Sequence, residues 1–162
     1  MPSVKYVTLG AARVNPAPTP KESRYAAEGL RDISGGVQDV RTGGAELFLG
    51  RLEEGKTLLR DGIGQIEEGL RDIEESLSDK RIDRECEGFE DVEEGLRGAL
   101  EGLQDIREGF GGVRDGNACE AVKSLCAGIQ GIEAVCPDIE RGLQNLRFQS
   151  VGESPDDTEN DT

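Results

Sequence analysis

Glycine recurs in this chain at a fixed step of seven, and few folds tolerate that. Gly29, Gly36, Gly43 and Gly50 form one run, Gly55, Gly62 and Gly69 a second, and Gly88, Gly95, Gly102 and Gly109 a third. Apolar residues keep pace beside them. Leu30, Ile33, Val37 and Val40 make one stripe; Ile63, Ile66, Leu70, Ile73 and Leu77 make the next. Phe89, Val92, Leu96, Ala99, Leu103, Ile106, Phe110 and Val113 make a third. Steps alternating between three and four are the a/d signature of an amphipathic helix that packs on another. In that frame each glycine stands at g, beside the seam.

A longer period lies above the heptads. Gly29, Gly62, Gly95 and Gly128 are 33 residues apart, as are Leu30, Ile63, Leu96 and Ile129, and likewise Val40, Ile73, Ile106 and Ile139. The chain therefore reads as four copies of one unit, roughly 20–51, 53–84, 86–117 and 119–150. Thirty-three is four heptads plus five, so an unbroken helix would swing its seam by about 140° at each junction. Turns avoid that swing. Gly111-Gly112 and Asp115-Gly116-Asn117 read as breakers at the third junction. Ser78-Asp79-Lys80 is a weaker break and Phe48-Leu49-Gly50-Arg51 the weakest. The first two helices could instead meet at Thr42-Gly43-Gly44, or run on with a bend. The expected fold is all-α: an up-down antiparallel helical bundle built from four tandem 33-residue repeats with Gly-containing heptads.

Each glycine inside a helix costs about 1 kcal/mol relative to alanine. A dozen of them would cost on the order of 10 kcal/mol, comparable to a whole domain's net stability. Close approach of two helices offers an offset, because glycine removes the Cβ that holds backbones apart and opens dispersion and Cα–H···O contacts. Gly29, Gly36, Gly62, Gly69, Gly95, Gly102, Gly109, Gly128 and Gly142 are the candidates for that packing. A flat face for another chain, or helices merely weakened by glycine, are the competing readings.

Composition narrows the function. The 162 residues hold 34 acids against 19 bases, a formal charge of −15, and no histidine or tryptophan. Without histidine, the serine–histidine and cysteine–histidine nucleophile pairs, the commonest zinc ligand and a ferritin-like di-iron site all drop out. The charge opposes nucleic acid and anionic membranes as partners. No EF-hand spacing is visible, and no stretch approaches the ~18 apolar residues of a membrane span. No metal, cofactor or catalytic residue is assigned. The paired acids Glu53-Glu54, Glu67-Glu68, Glu74-Glu75 and Glu93-Glu94 read as a solvated outer face.

Cys86 and Cys119 hold the same place in consecutive units and Cys126 lies one heptad further, all at e; Cys136 falls at a. On a helix, Cys119 and Cys126 stand about 10 Å apart along the axis, too far for a disulfide. A hairpin turning near Asp115-Gly116 sets Cys86 opposite Asn145. Free structural thiols are expected, with Cys136 a small buried hydrophobe; interchain disulfides and a thiolate site are the alternatives.

Three regions follow: an extended basic arm and Pro-rich linker over 1–19, the bundle over 20–150, and a disordered acidic tail over 151–162. The first 24 residues set Lys5, Arg13, Lys21 and Arg24 against Glu22 alone. Val4, Tyr6, Val7 and Leu9 give the arm a strand-like apolar face, the candidate partner-binding segment. The start of the chain lacks the apolar region of a secretory signal, so a cytoplasmic location is the default. The favoured function is a non-enzymatic structural or assembly protein that forms a homo-oligomer or scaffolds a protein partner. The alternatives are a loosely helical acidic stress or surface protein that folds on partners, and a small-ligand or metal-binding helical bundle. A basic arm meeting an acidic body gives a test: deleting residues 1–19 is expected to lower the oligomer mass at low salt, measured by light scattering. An unchanged mass removes the arm from the assembly.

Overall fold

The computed structural model describes residues 20–149, with side chains from residue 24. Four helices account for most of it: α1, Pro20–Phe48; α2, Leu52–Leu77; α3, Glu87–Arg114; and α4, Ala118–Gln144. Pro20 opens α1 at the position where a missing N–H costs nothing. None of α2, α3 or α4 has a side-chain cap hydrogen bond. Acids in their first turns, Glu53 and Glu54, Glu87 and Glu90, and Glu120, face the positive ends of the helix dipoles instead.

The first two helices are separate, joined by residues 49–51, the break that the sequence marks least. Gly50 adopts φ +82°, its N–H reaches the Leu47 carbonyl (3.0 Å), and the Arg51 N–H reaches the Glu46 carbonyl (2.8 Å). The turn between α3 and α4 repeats this. Gly116 has φ +85°, with Gly116 N–H to Val113 (3.2 Å) and Asn117 N–H to Gly112 (2.8 Å). Both are Schellman endings, in which a left-handed glycine lets the last carbonyls be satisfied. Thr42-Gly43-Gly44 lies inside α1, and Gly111-Gly112 lies inside the last turns of α3.

The helices pack in pairs. α1 and α2 touch along their length, as do α3 and α4, whereas the joints between the two hairpins are looser. Arg41 of α1 pairs with Glu133 of α4, and Arg107 of α3 with Glu67 of α2. Arg60 lies 5.9 Å from the ring centre of Phe110. These contacts set neighbouring helices antiparallel, with both tight turns at one pole and the 78–86 loop at the other. At 29 residues, α1 is about 43 Å long.

The core is aliphatic. Ile33, Val40, Leu59, Ile66, Ile73, Val92, Ile106, Ile132 and Ile139 are fully enclosed, and no polar or charged side chain among the described residues is buried. Leu30, Ile63 and Phe110, although on the apolar stripes, are only partly covered. Phe148 lies beyond the end of α4 and inside the span of 20–150 expected for the bundle. It forms an antiparallel bridge with Ile82, flanked by the Asp83 N–H to the Arg147 carbonyl (2.8 Å) and the Gln149 N–H to the Arg81 carbonyl. This bridge ties the end of α4 to the 78–86 loop and closes the second pole.

Alanine at either left-handed glycine places a Cβ against the following carbonyl. Gly50→Ala and Gly116→Ala are each expected to cost about 1–2 kcal/mol, read from urea midpoints. Two unchanged midpoints would remove the glycine caps from the account of these turns.

Candidate functional site

The glycines face one another across each hairpin. A Cβ added to Gly36 would meet the Gly62 carbonyl oxygen at 2.6 Å, and one on Gly62 would meet the Gly36 oxygen at 2.6 Å. Gly29 stands against Gly69 at 2.7 Å, Gly102 against Gly128 at 2.8 Å, and Gly142 against Gly88 at 2.8 Å. In every case a main-chain oxygen, which cannot swing aside, stands among the obstacles beside an isoleucine or valine side chain. The hydrogen in place of that Cβ points at the opposite carbonyl, the geometry of a Cα–H···O contact. Gly109 packs on the Ala121 carbonyl (2.9 Å), and Gly95 packs on Ile139, its Cβ position 2.5 Å from Cγ1. All nine candidate glycines are buried and face inward within their own hairpin. Gly43, Gly55 and Gly88 complete the same rows; their heptad spacing was the available signal.

What remains for other molecules lies at the poles and along one seam. At the tight-turn pole, Phe48 is 84%, Leu49 65% and Leu52 48% exposed. The corresponding turn of the second hairpin carries Arg114, Asp115 and Ala118 instead. Apolar residues around Gly50 were the available sequence signal for this tip, a segment that the sequence marks only as the weakest break. At the opposite pole, Ala26, Leu30, Ile82, Leu143, Leu146 and Phe148 line a largely apolar cavity of about 340 Å³ between α1 and α4. Further along the seam, clefts of about 610 and 390 Å³ run past Val37 and Cys136, then past Val40 and Leu125.

The thiols do not come together. Cys86 is buried at the start of α3, Cys119 and Cys126 are exposed on α4, and all four cysteines are free. Cys136 is only half-buried, on the α1–α4 cleft, a correction to its expected burial. Partial burial, and then Glu133 and Glu140, push its thiol above the usual range, which lowers its thiolate fraction and its reactivity. On the outer face of α1 and α2, desolvation raises the Asp72 carboxyl, with Asp32, Glu68, Glu75 and Glu28 adding repulsion. No group of three or more metal-ligating side chains gathers among the described residues, and no described helix is long and apolar enough to cross a membrane. Val4, Tyr6, Val7 and Leu9 lie outside the described residues.

No protein-family model, curated protein or solved structure matches this chain. The site is therefore argued from its own chemistry.

Two glycines on the same helix separate the packing effect from helix propensity. A Cβ on Gly64 would meet nothing within 4 Å, whereas one on Gly62 meets backbone. Gly64→Ala is expected to stabilise by about 1 kcal/mol and Gly62→Ala to destabilise by about 1–3 kcal/mol, both measured by chemical denaturation. The reverse order would remove close approach as the reason for the glycine at 62.

Proposed function

We propose that this chain is a non-enzymatic assembly protein, a self-associating bundle of four tandem 33-residue units with glycine heptads. The repeat reading is supported by the two turns. Gly50 and Gly116 stand 66 residues apart, twice the unit, with the same left-handed conformation and the same pair of carbonyl bonds. In this reading the glycine rows fix each hairpin, and association uses what the hairpins leave outside.

The observation that carries the assembly reading is the apolar tip. Phe48, Leu49 and Leu52 expose apolar surface at a turn whose sister, with matching backbone, is polar. Turn formation does not require these side chains, and an exposed cluster of large apolar groups marks a surface that meets another chain. Phenylalanine and leucine projecting from a rigid turn also lose little freedom on docking. The acidic waist keeps copies apart sideways, whereas acids and bases nearly balance around the tight-turn pole.

The full chain is expected to show a mass above 17.4 kDa that rises with concentration in light scattering. Phe48→Glu should return it to the monomer mass while leaving the helical melt unchanged. A wild-type mass fixed at 17.4 kDa over the whole concentration range would overturn self-association.

A further inference from the structure

We infer that the arm of this chain seats in its own bundle: residues 4–9 lie along the first turns of α1, with Tyr6 in the α1–α4 cavity. This goes beyond the assembly reading and does not depend on it.

The two sides of the cavity pole are covered unequally. Between α2 and α3 the 78–86 loop crosses from helix to helix, and Leu77, Phe89 and Leu96 at that seam are buried. Between α1 and α4 no connection crosses among the described residues, and Leu30, Leu143, Leu146 and Phe148 stay only partly covered. Leu96 and Ile129, which hold the place of Leu30 in later units, are buried. Leu30 thus lacks a cover that its counterparts receive.

Two further stretches of chain leave from this pole, residues 1–19 ahead of Pro20 and residues 150–162 beyond Gln149. Their chemistry decides between them. The tail carries Glu153, Asp156, Asp157, Glu159 and Asp161, no base, and Val151 as its one aliphatic residue. Residues 1–19 carry Lys5 and Arg13, no acid, and the apolar set Val4, Tyr6, Val7 and Leu9. The pole itself is acidic. Acids and bases balance in the 78–86 loop, but α2 ends on Asp72, Glu74 and Glu75, and α3 opens on Glu87, Glu90 and Asp91. Glu140, the charged member of the cavity lining, has no base paired with it among the described residues. Such a surface attracts a basic apolar segment and repels an acidic tail.

Reach and size fit as well. Ala26 and Ala27 of the lining stand about 10 Å along the axis from Pro20. Pro16, Pro18 and Pro20 favour an extended path, which carries residues 15–19 about 15 Å outward. Turning back at Asn15, residues 10–14 recover about the same distance. Leu9 then stands level with Pro20, and Tyr6 about 10 Å further along α1, beside the cavity. A volume of about 340 Å³ takes one aromatic ring and an aliphatic neighbour. Ser76 in the lining donates its hydroxyl proton to the Asp72 carbonyl (2.9 Å), so its oxygen is open to the tyrosine O–H. Composition alone directs the arm at a neighbouring copy, whereas the cavity opens beside the arm's own root. Attachment to the same chain gives a local concentration of about a millimolar, which favours the arm's own cavity and withdraws it from assembly.

The chain holds no tryptophan, so Tyr6→Trp reports on the arm alone. In the full-length protein its emission is expected to lie blue of that of the urea-unfolded chain and to stay there on dilution. Ala27→Arg, at the exposed rim of the cavity, and Leu143→Glu, in its wall, should each shift the emission back to the unfolded position. Helical circular dichroism melts establish that both variants fold. Adding excess wild-type chain to the Tyr6→Trp protein carrying Leu143→Glu should restore nothing. Emission at the unfolded position in the parent overturns the docking, and a blue shift that survives both cavity variants overturns the site. Restoration by the wild type means that copies trade their arms, which overturns seating in the arm's own bundle. A wild type that stays a monomer overturns the assembly reading and leaves this one standing.

Discussion

The contact of one helix backbone with another, glycine against carbonyl, sets everything else in this molecule. Where Gly36 faces Gly62 and Gly102 faces Gly128, a single added carbon would fall well inside van der Waals distance of a main-chain oxygen. Such a contact is all or none. A slip of one residue would put a side chain where no atom fits, so the glycine rows fix the register as well as the distance. Each interior glycine weakens its helix by about 1 kcal/mol, and the gain comes from backbone dispersion and Cα–H···O contacts repeated along both helices.

Tight hairpins have a consequence for the joint between them. With α1 drawn onto α2 and α3 onto α4, large side chains of each hairpin pack over the glycines of its other helix: Ile33 on Gly69, Ile66 on Gly36, Ile106 on Gly128 and Ile132 on Gly102. All four are fully enclosed. The outer parts of that joint are held more loosely. The α1–α4 seam carries the cavity and the clefts, and Arg41 with Glu133 is a half-exposed pair there, a kind worth little on its own. A molecule made of two rigid hairpins and a softer seam therefore has its concave surface where its own packing is least demanding.

Much of this architecture was legible in the sequence, and the unreadable parts share one cause. Helix stripes and glycine heptads follow from local periodicity, and the residues of the stripes do line the interior, with Leu30, Ile63 and Phe110 only partly covered. Turn positions were harder. In most chains glycine punctuates helices, but here it also packs them, so Thr42-Gly43-Gly44 and Gly111-Gly112 looked like breaks although both are helical. Among the described residues only Gly50 and Gly116 take the left-handed conformation that marks a helix end; Asp115 and Asn117 mark the second as a turn, whereas no local signal distinguishes Gly50 from Gly43. The pairing of Phe148 was unreadable for a different reason. Its partner Ile82 lies far away in sequence, and one bridge leaves no periodic trace. Cys136 sits at a core-like register position, but the α1–α4 seam stays open beside it.

The two turns offer a comparison that the chain makes with itself. Both close a glycine-zippered hairpin, both end on a left-handed glycine, and both satisfy the same two carbonyls. Whatever the backbone needs at such a turn, Arg114, Asp115 and Ala118 provide it in one case and Phe48, Leu49 and Leu52 in the other. Requirements of folding are equal at the two sites, so they cannot account for the difference in side chains. Nor does internal packing explain it, since Phe48 and Leu49 reach mostly into solvent. Exposed aromatic and aliphatic groups at a rigid tip raise the risk of unwanted association, and a chain with so much surface charge had polar residues available for the position. The asymmetry between the tips is the observation on which the proposed association rests.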